Sequence, residues 1–369
     1  MKKKIYIISG EASGDLHAAN LVHELNKISS DLDFRAWGGI RLRNEGVKIE
    51  KDIRDIAFMG FIEVLLNIRI IFKNLKQCKK NLLDFKPDIL ILVDYPGFNL
   101  RIAKWAKKQG ITIFYYISPQ IWAWKQSRIH TIKNTITRMY CILPFEKDFY
   151  AKFDMPVTYL GHPLLDEVKR FKDSNCDTNF GEKIIAILPG SRKQEIERKL
   201  PIMLAASAKF PEYTSIVACA PNLDITFYDK YRADNVIFIE NNTYSLLQKA
   251  DVAIVTSGTA TLETALFKVP QVVCYKTSRI SYLIAKQLIK IKYISLVNLI
   301  LDKGAIVELI QDDCSIHNIV RELEKLLLNK IENNRVKSCY NDLIYLLKDD
   351  GASKRIAEDM LQNIKFEGK

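Results

Sequence analysis

No apolar run in this sequence comes near the roughly 20 residues that a membrane-spanning helix needs, so the chain reads as one that works in water or against a membrane surface. The seven cysteines are odd in number and include no CxxC pair. A disulfide framework is therefore not expected, and a reducing compartment is. None of the five histidines stands at metal-ligand spacing from another histidine or a cysteine, which argues against zinc. Internal repeats and low-complexity tracts are also missing. The opening Met1-Lys2-Lys3-Lys4-Ile5-Tyr6-Ile7-Ile8 mimics a secretory leader, but Glu11 and Asp15 cut its apolar part short, so the expected location is cytoplasmic. Acidic residues are in deficit, 43 against 55 Lys and Arg, for a net charge of +12. That balance favours an anionic partner. Phospholipid headgroups and phosphorylated substrates qualify, whereas no nucleic-acid motif is present and no nucleic-acid partner is expected.

What is present is a strand–turn–helix phrase written three times. Ile5-Tyr6-Ile7-Ile8 runs into Ser9-Gly10-Glu11-Ala12-Ser13-Gly14-Asp15, and Ile184-Ile185-Ala186-Ile187-Leu188 runs into Pro189-Gly190-Ser191-Arg192. Val252-Ala253-Ile254-Val255 runs into Thr256-Ser257-Gly258-Thr259-Ala260-Thr261-Leu262-Glu263. Glycine lets backbone approach a phosphate closely, and a helix starting there aims free N–H groups and its positive end at the anion. Over 369 residues the length prior is two domains, and alternation of strands and helices predicts parallel sheets with helices on both faces. The expected class is α/β, with two Rossmann-like doubly wound domains facing a cleft. The expected boundaries are 1–168, a polar linker 169–183, a second domain 184–340, and C-terminal helices 341–369. Those last helices can stay on the second domain or cross back to the first.

Arg192 offers a planar fork to diphosphate oxygens, or is simply a surface arginine near a helix start. Gly190 and Ser191 before it, with Ser257, Gly258 and Thr259 in the third phrase, can cradle the same anion. Glu263 can accept bonds from ribose hydroxyls or complete a capping box. In the first half, Asp94 follows the strand candidate Ile89 to Val93, where open α/β sheets place reactive groups. It can act as a general base or hold an Asx-turn. Glu11 is a second acid aimed the same way. Asp31-Leu32-Asp33 matches a metal-binding DxD only formally. If Arg192 and helix N-termini meet the phosphate charge, no metal is required. Phe58 to Leu66 is unusually apolar and is followed by a lysine-rich stretch to Lys86, which suits either an interfacial helix or a core helix with a solvated lysine face. Trp122-Ala123-Trp124-Lys125 leaves the same choice open.

Taken in order, these segments resemble the lipid-A-disaccharide synthase family. The similar stretches are Ser9 to Asp15, Met59 to Leu65, Asp94-Tyr95-Pro96-Gly97-Phe98-Asn99 and Ser118-Pro119-Gln120-Ile121-Trp122-Ala123-Trp124. Leu143-Pro144-Phe145-Glu146, Gly161-His162-Pro163-Leu164, Leu188 to Arg192, Ser257 to Glu263 and Ser295-Leu296-Val297-Asn298 continue the series. The resemblance implies a type B glycosyltransferase fold, independent of metal and of any cofactor. It implies inverting transfer from UDP-2,3-diacylglucosamine to 2,3-diacylglucosamine 1-phosphate, giving a β-1,6-linked disaccharide and UDP. On this carry-over Asp94 is the base and Glu11 lies near the acceptor. Gly190, Ser191, Arg192, Ser257, Gly258, Thr259, Glu263 and Asn298 form the UDP site. Ser13, Met59, Phe61, Val64 and Leu65 contact the acceptor, its acyl chains or the membrane, and the protein sits peripherally on the cytoplasmic face of an anionic inner membrane. A homodimer is left open. Three departures stand out: His17-Ala18-Ala19 replaces a glycine-containing continuation, Gly38-Gly39-Ile40-Arg41 lacks a proline, and Val297 stands where proline usually precedes the asparagine. A UDP-sugar epimerase, another glycosyltransferase of the same fold, or a non-catalytic nucleotide-sugar binding protein at a membrane surface are the competing readings.

Overall fold

The computed structural model describes residues 2–55, 68–174, 178, 180–279, 282, 286–287 and 291–366. The chain divides into two compact units, Met1–Pro163 with Asp350–Lys369, and Leu164–Asp349.

The first unit is built on seven parallel strands: β1 (Lys3–Ser9), β2 (Leu32–Gly38), β3 (Lys48–Asp52), β4 (Ile89–Val93), β5 (Thr112–Tyr116), β6 (Arg138–Cys141) and β7 (Thr158–Tyr159). Between them run helices α1 (Ala12–Ile28), α2 (Ile40–Asn44), α3 (Ile68–Phe85), α4 (Pro96–Lys108), α5 (Ile129–Thr135) and α6 (Glu146–Ala151). Strand order is β3-β2-β1-β4-β5-β6-β7, so the direction of winding reverses between β1 and β4. Ile5 to Ile8 and Leu90 to Val93 are fully buried, the unbroken apolar pattern of strands covered on both faces.

In the second unit, helix α7 (Leu164–Asp173) leads into β8 (Ile184–Leu188), α8 (Lys193–Ser207), β9 (Thr214–Ala218), β10 (Val236–Ile239), α9 (Thr243–Lys249), β11 (Val252–Thr256), α10 (Thr259–Leu266) and β12 (Gln271–Tyr275). Helix α11 (Leu296–Leu301), β13 (Val307–Ile310), α12 (Ile316–Leu328) and α13 (Lys330–Leu347) complete it. Its strand order is β10-β9-β8-β11-β12-β13, with the reversal between β8 and β11. Phe171 of α7 packs its ring on Tyr244 and Phe267, with centroids 5.6 and 5.9 Å away. Residues 164–173 therefore group with this unit, although the sequence reading divided them between the first domain and the linker.

The last helix, α14 (Ala352–Phe366), belongs to the first unit. Ile356, Ala357, Met360, Leu361 and Ile364 share one apolar cluster with Ala18, Leu21, Val22 and Leu25 of α1. A buried-edge clamp fixes it: Arg138 Nε and Nη2 each donate to Asp359 at 2.8 Å, and the Tyr140 hydroxyl donates to the same carboxylate at 2.8 Å. Helix α13 stays in the second unit.

Helix α3 turns Leu75, Cys78, Leu82 and Phe85 into the first unit's core, an i, i+3, i+7, i+10 stripe. Arg69, Lys73, Lys76 and Lys80 lie outward. Near its start Phe72 is 63% exposed, so this helix both packs in the core and presents an aromatic ring among cations. Among the described residues no helix is long and apolar enough to cross a membrane.

Candidate functional site

Ligands of open parallel sheets bind beyond the carboxyl ends of the strands where winding reverses. Each unit has one such point, and they differ in what they present.

In the second unit β8 and β11 lie side by side, and their following turns carry Gly190, Ser191 and Arg192 on one side and Ser257, Gly258 and Thr259 on the other. Gly190 has φ +118°, and a Cβ there would lie 2.9 Å from a Glu195 carboxylate oxygen, so only glycine fits that turn without strain. Helices α8 and α10 begin at Arg192 and Gly258 without a side-chain cap. Helices α1, α2, α4, α5, α6 and α9 start the same way, whereas α11, α12 and α13 are capped by Ser295, Ser315 and Asn329. The two helices at the reversal thus keep their first N–H groups available to an anion. Ser191, Arg192, Gly258 and Thr259 are exposed. Ser257 donates its hydroxyl to the Ile294 carbonyl at 2.9 Å.

Two charged groups back this turn. Glu195 lies 3.3 Å from Arg192 and 3.9 Å from the ammonium of Lys199. Lys199 is buried, and its Nζ donates to the Thr256 hydroxyl at the end of β11. Desolvation lowers its proton affinity, and Glu195 partly restores it. The sequence reading did not single out Lys199, because Lys199-Leu200-Pro201 reads as one more surface lysine in a basic chain.

Glu263 accepts a hydrogen bond from the Tyr244 hydroxyl at 3.0 Å, and burial raises its pKa. Asn298 is turned inward. Its Nδ2 donates to the Ile306 carbonyl at 2.9 Å and to Glu308 at 2.8 Å, while its Oδ1 accepts from the backbone N–H groups of Ala305 and Ile306 at 2.8 and 3.0 Å. Every hydrogen-bonding position of that amide is taken. Asn298 is thus a pin across the 295–308 segment, and no part of its amide is left over for a ligand.

In the first unit β1 and β4 lie side by side, and the groups at their ends are acids. Glu11 is the N-cap residue of α1 and accepts from the Ser13 hydroxyl at 2.9 Å. The Tyr95 ring lies directly over Gly10, where a Cβ would come within 2.2 Å of it; glycine is therefore obligatory at that contact. Asp94 is half-buried, and its carboxyl is pushed up to about 7, first by desolvation and then by the charge of Glu11, with which it shares a hydrogen bond. Its backbone is held by Asn99 Nδ2, which donates to the Val93 and Asp94 carbonyls at 3.2 and 2.7 Å, and by the Tyr115 hydroxyl, which also donates to the Asp94 carbonyl.

Asp94 and Tyr95 have φ of +44° and +47°, and Ile117, after β5, has +64°. Left-handed backbone at non-glycine residues, above all at a β-branched one, costs energy and gathers at functional sites. Asp15 serves the scaffold: its carboxylate accepts from the N–H groups of Gly39 and Arg41 at 2.6 and 3.0 Å and so closes the turn after β2.

Glu146, quoted only as part of a motif in the sequence reading, proves to be a buried hub. It accepts from the Ser118 hydroxyl, from Trp122 Nε1 at 3.2 Å and from the N–H groups of Ile142 and Leu143 at 3.2 and 2.9 Å. Desolvation pushes its carboxyl up to about 7 despite those bonds. Trp122 is thereby fixed inward with its ring against Phe145, whereas Trp124 is 39% exposed. Asp31 lies at the amino end of β2, away from these groups. Met59, Phe61, Val64 and Leu65 lie outside the described residues. Among those described, no group of three or more His, Cys, Asp or Glu side chains could hold a metal ion.

The fold recurs in solved structures. The crystal structure of UDP-GlcNAc 2-epimerase from Neisseria meningitidis bound to UDP-GlcNAc superposes with a TM-score of 0.69 at 15% identity, over 97% of this chain and 100% of that one. The S. aureus MnaA-UDP co-structure gives 0.71 at 15% identity, over 98% and 97%. At such identities the likeness is one of fold, and it defines the chain as a protein of two Rossmann-like domains.

Sequence makes the class narrower. The model of the Lipid-A-disaccharide synthetase family matches residues 5–362. Lipid-A-disaccharide synthase 1 of Legionella pneumophila subsp. pneumophila strain Philadelphia 1 is 39% identical over 364 residues, 95% of this chain and 94% of the relative. The synthase of Syntrophus aciditrophicus is 40% identical over 376 residues, 98% of each. The chain belongs to the lipid-A-disaccharide synthase family of glycosyltransferases.

Proposed function

We propose that the protein transfers 2,3-diacylglucosamine from its UDP conjugate to the 6-hydroxyl of 2,3-diacylglucosamine 1-phosphate, releasing UDP with inversion at the anomeric carbon. Asp94 takes the proton of the attacking hydroxyl. A base of ordinary aspartate affinity would be a weak proton acceptor at neutral pH; one raised to about 7 is matched to the task. Glu11 keeps that affinity high. In the second unit Arg192, with the uncapped starts of α8 and α10, meets the charge that builds on the departing diphosphate, and Ser191, Ser257 and Thr259 supply hydroxyls beside it. Glu263 serves the ribose. Asn298 contributes by holding the 295–308 segment rather than by touching UDP. Neither metal nor cofactor is called for, since the diphosphate charge is answered by protein groups.

The acylated substrates require the protein to work at a lipid surface, and we place it peripherally on the cytoplasmic face of the inner membrane. The cations of α3 around the exposed Phe72 support this reading: basic residues draw the helix to anionic headgroups while an aromatic ring enters the interface.

The observation that carries the proposal is the matched pair at the strand-order reversals, a raised acid in one unit and uncapped helices with an arginine in the other, within a chain whose full-length relatives are disaccharide synthases. The test is incubation of the purified protein with both substrates in detergent without added metal, following disaccharide and UDP by mass spectrometry. Equal amounts of the two are expected. UDP without disaccharide would point to hydrolysis. Isomerised UDP-sugar would favour the epimerase reading suggested by the fold alone, and no product would leave a binding protein.

A further inference from the structure

The segment between β5 and α5 holds two cations that the proposed chemistry does not use, and α4 adds a third. Trp124 is 39% exposed, with Lys125 Nζ 4.5 Å and the Arg128 guanidinium 5.3 Å from its ring centre. Helix α4, which begins at Pro96 just after Asp94 and Tyr95, packs on α5 and carries Arg101, whose charge is felt at Lys125 and Arg128. None of the three makes an ion pair, and none hydrogen-bonds a carboxylate through its side chain among the described residues. Lys125 holds its proton less tightly than usual, through desolvation and then through the charges of Arg128 and Arg101, and Arg128 does so through desolvation and, against the pull of Tyr115, the charge of Arg101. Assembling like charges without a counter-charge costs stability, and an anionic ligand recovers it.

The backbone around them is set rigidly. Lys125 has φ +53°, the Arg128 N–H donates to the Lys125 carbonyl at 3.0 Å, and the loop is anchored from below by Ser118 and Trp122 on Glu146. The cluster also lies close to the reacting acid. The Tyr115 hydroxyl, which feels the charge of Arg128, donates to the carbonyl of Asp94, and Arg101 acts on Tyr95.

We propose that Lys125 and Arg128, at the rim of the Trp124 ring, with the charge of Arg101 on α4 behind them, seat the phosphate monoester of the acceptor sugar. This rests on the transferase reading above, in which the donor's diphosphate is met by the second unit and the acceptor's phosphate is left without a partner. A sugar phosphate dianion suits the site: an ammonium and a guanidinium flank one exposed indole ring, and the indole face gives the pyranose ring a surface to lie on. An anionic lipid headgroup has the same charge chemistry but no need of the nearby acid, so the seat is assigned to the acceptor.

Two measurements test it. The first needs no turnover: glucosamine 1-phosphate is titrated while tryptophan fluorescence is followed. A saturable change is expected in the wild-type protein and is expected to vanish in Trp124→Phe and to require at least tenfold more ligand in Arg128→Gln and Lys125→Gln. No saturable change in the wild type overturns the seat, whatever the enzyme's activity. The second compares acceptors with and without the 1-phosphate. Arg128→Gln is expected to raise KM for the phosphorylated acceptor about 10- to 100-fold, with kcat and the KM for the UDP-sugar within threefold of wild type, and to behave as wild type with the unphosphorylated acceptor. Equal KM for wild type and variant on the phosphorylated acceptor, or equal losses on both acceptors, contradicts the seat. Loss of phosphatidylglycerol-vesicle binding by Arg128→Gln with unchanged acceptor KM would also overturn it, assigning the cations to lipid. Absence of disaccharide in the wild type with the fluorescence response intact would sink the transferase reading and not the seat.

Discussion

The two sheets share one strand order and use it for opposite electrostatics. In each, winding reverses between the first and fourth strands of the unit, and in each a turn rich in small residues follows. At the first unit's reversal the side chains are acids, Glu11 and Asp94, whose mutual repulsion and burial hold a proton near neutrality. At the second unit's reversal they are Arg192 and the buried Lys199; the helices after both reversals start without a side-chain cap, so the side chains carry the difference. The topology therefore supplies a place, and the few residues after each strand decide what charge that place presents.

The largest effect should come from the acid side. Asp94→Asn removes the proposed proton acceptor and is expected to lower single-turnover transfer on the order of 10²- to 10⁴-fold, while UDP affinity by calorimetry stays within about twofold. Next, Arg192→Ala should weaken UDP binding by about 10-fold or more, as loss of a charge-assisted hydrogen bond does. If that variant binds UDP as wild type does, the anion side of the comparison is wrong.

A smaller change tests the pin. Asn298→Ala takes one donor from Glu308, which keeps its bonds from Ile294 and Ser295, and removes the amide that pairs the Ile306 N–H and carbonyl; it should destabilise the second unit by roughly 2–4 kcal/mol, seen as a lowered Tm. Retention of full stability would mean the inward amide is dispensable.

The pH dependence sharpens the acid side most finely. Activity should rise with pH through about 7 as Asp94 loses its proton. Glu11→Gln, by removing a like charge, should move that limb to lower pH. Asp94 and Glu146 both hold protons more tightly folded than unfolded. Their contribution to stability is therefore complete below about pH 4, the unfolded carboxyl range, and is lost as pH rises through 7. Asp94→Asn should accordingly raise Tm at pH 8 relative to wild type more than it does at pH 5; a constant difference across that range would contradict the raised pKa.

Much of this was legible in the sequence where burial leaves a mark. Ile89–Val93 and Ile184–Leu188 stand out in the sequence with the bounds the structure has, because parallel strands covered on both faces are compact apolar runs. Two of the four edge strands, β3 and β13, escape such a reading. Lys48–Asp52 is one apolar residue among charges, and Val307–Ile310 is interrupted by Glu308; both pair on one side only, so their pattern carries little trace of the sheet. The glycine turns announced the reversal points. Lys199 and Glu146 stayed hidden, since a buried charge looks like a surface one until its neighbours are known. The inward role of Asn298 was equally invisible, because it depends on Glu308 and the 305–306 backbone meeting it across a loop.

The central claim is that proton acceptance and diphosphate binding are divided between the two reversals. The most direct measurement is UDP affinity and single-turnover rate for Asp94→Asn and Arg192→Ala, side by side. The account predicts that Asp94→Asn loses rate and keeps UDP affinity, whereas Arg192→Ala loses UDP affinity first, with its rate partly recovered at saturating donor. Parallel loss of both quantities in both variants would contradict it.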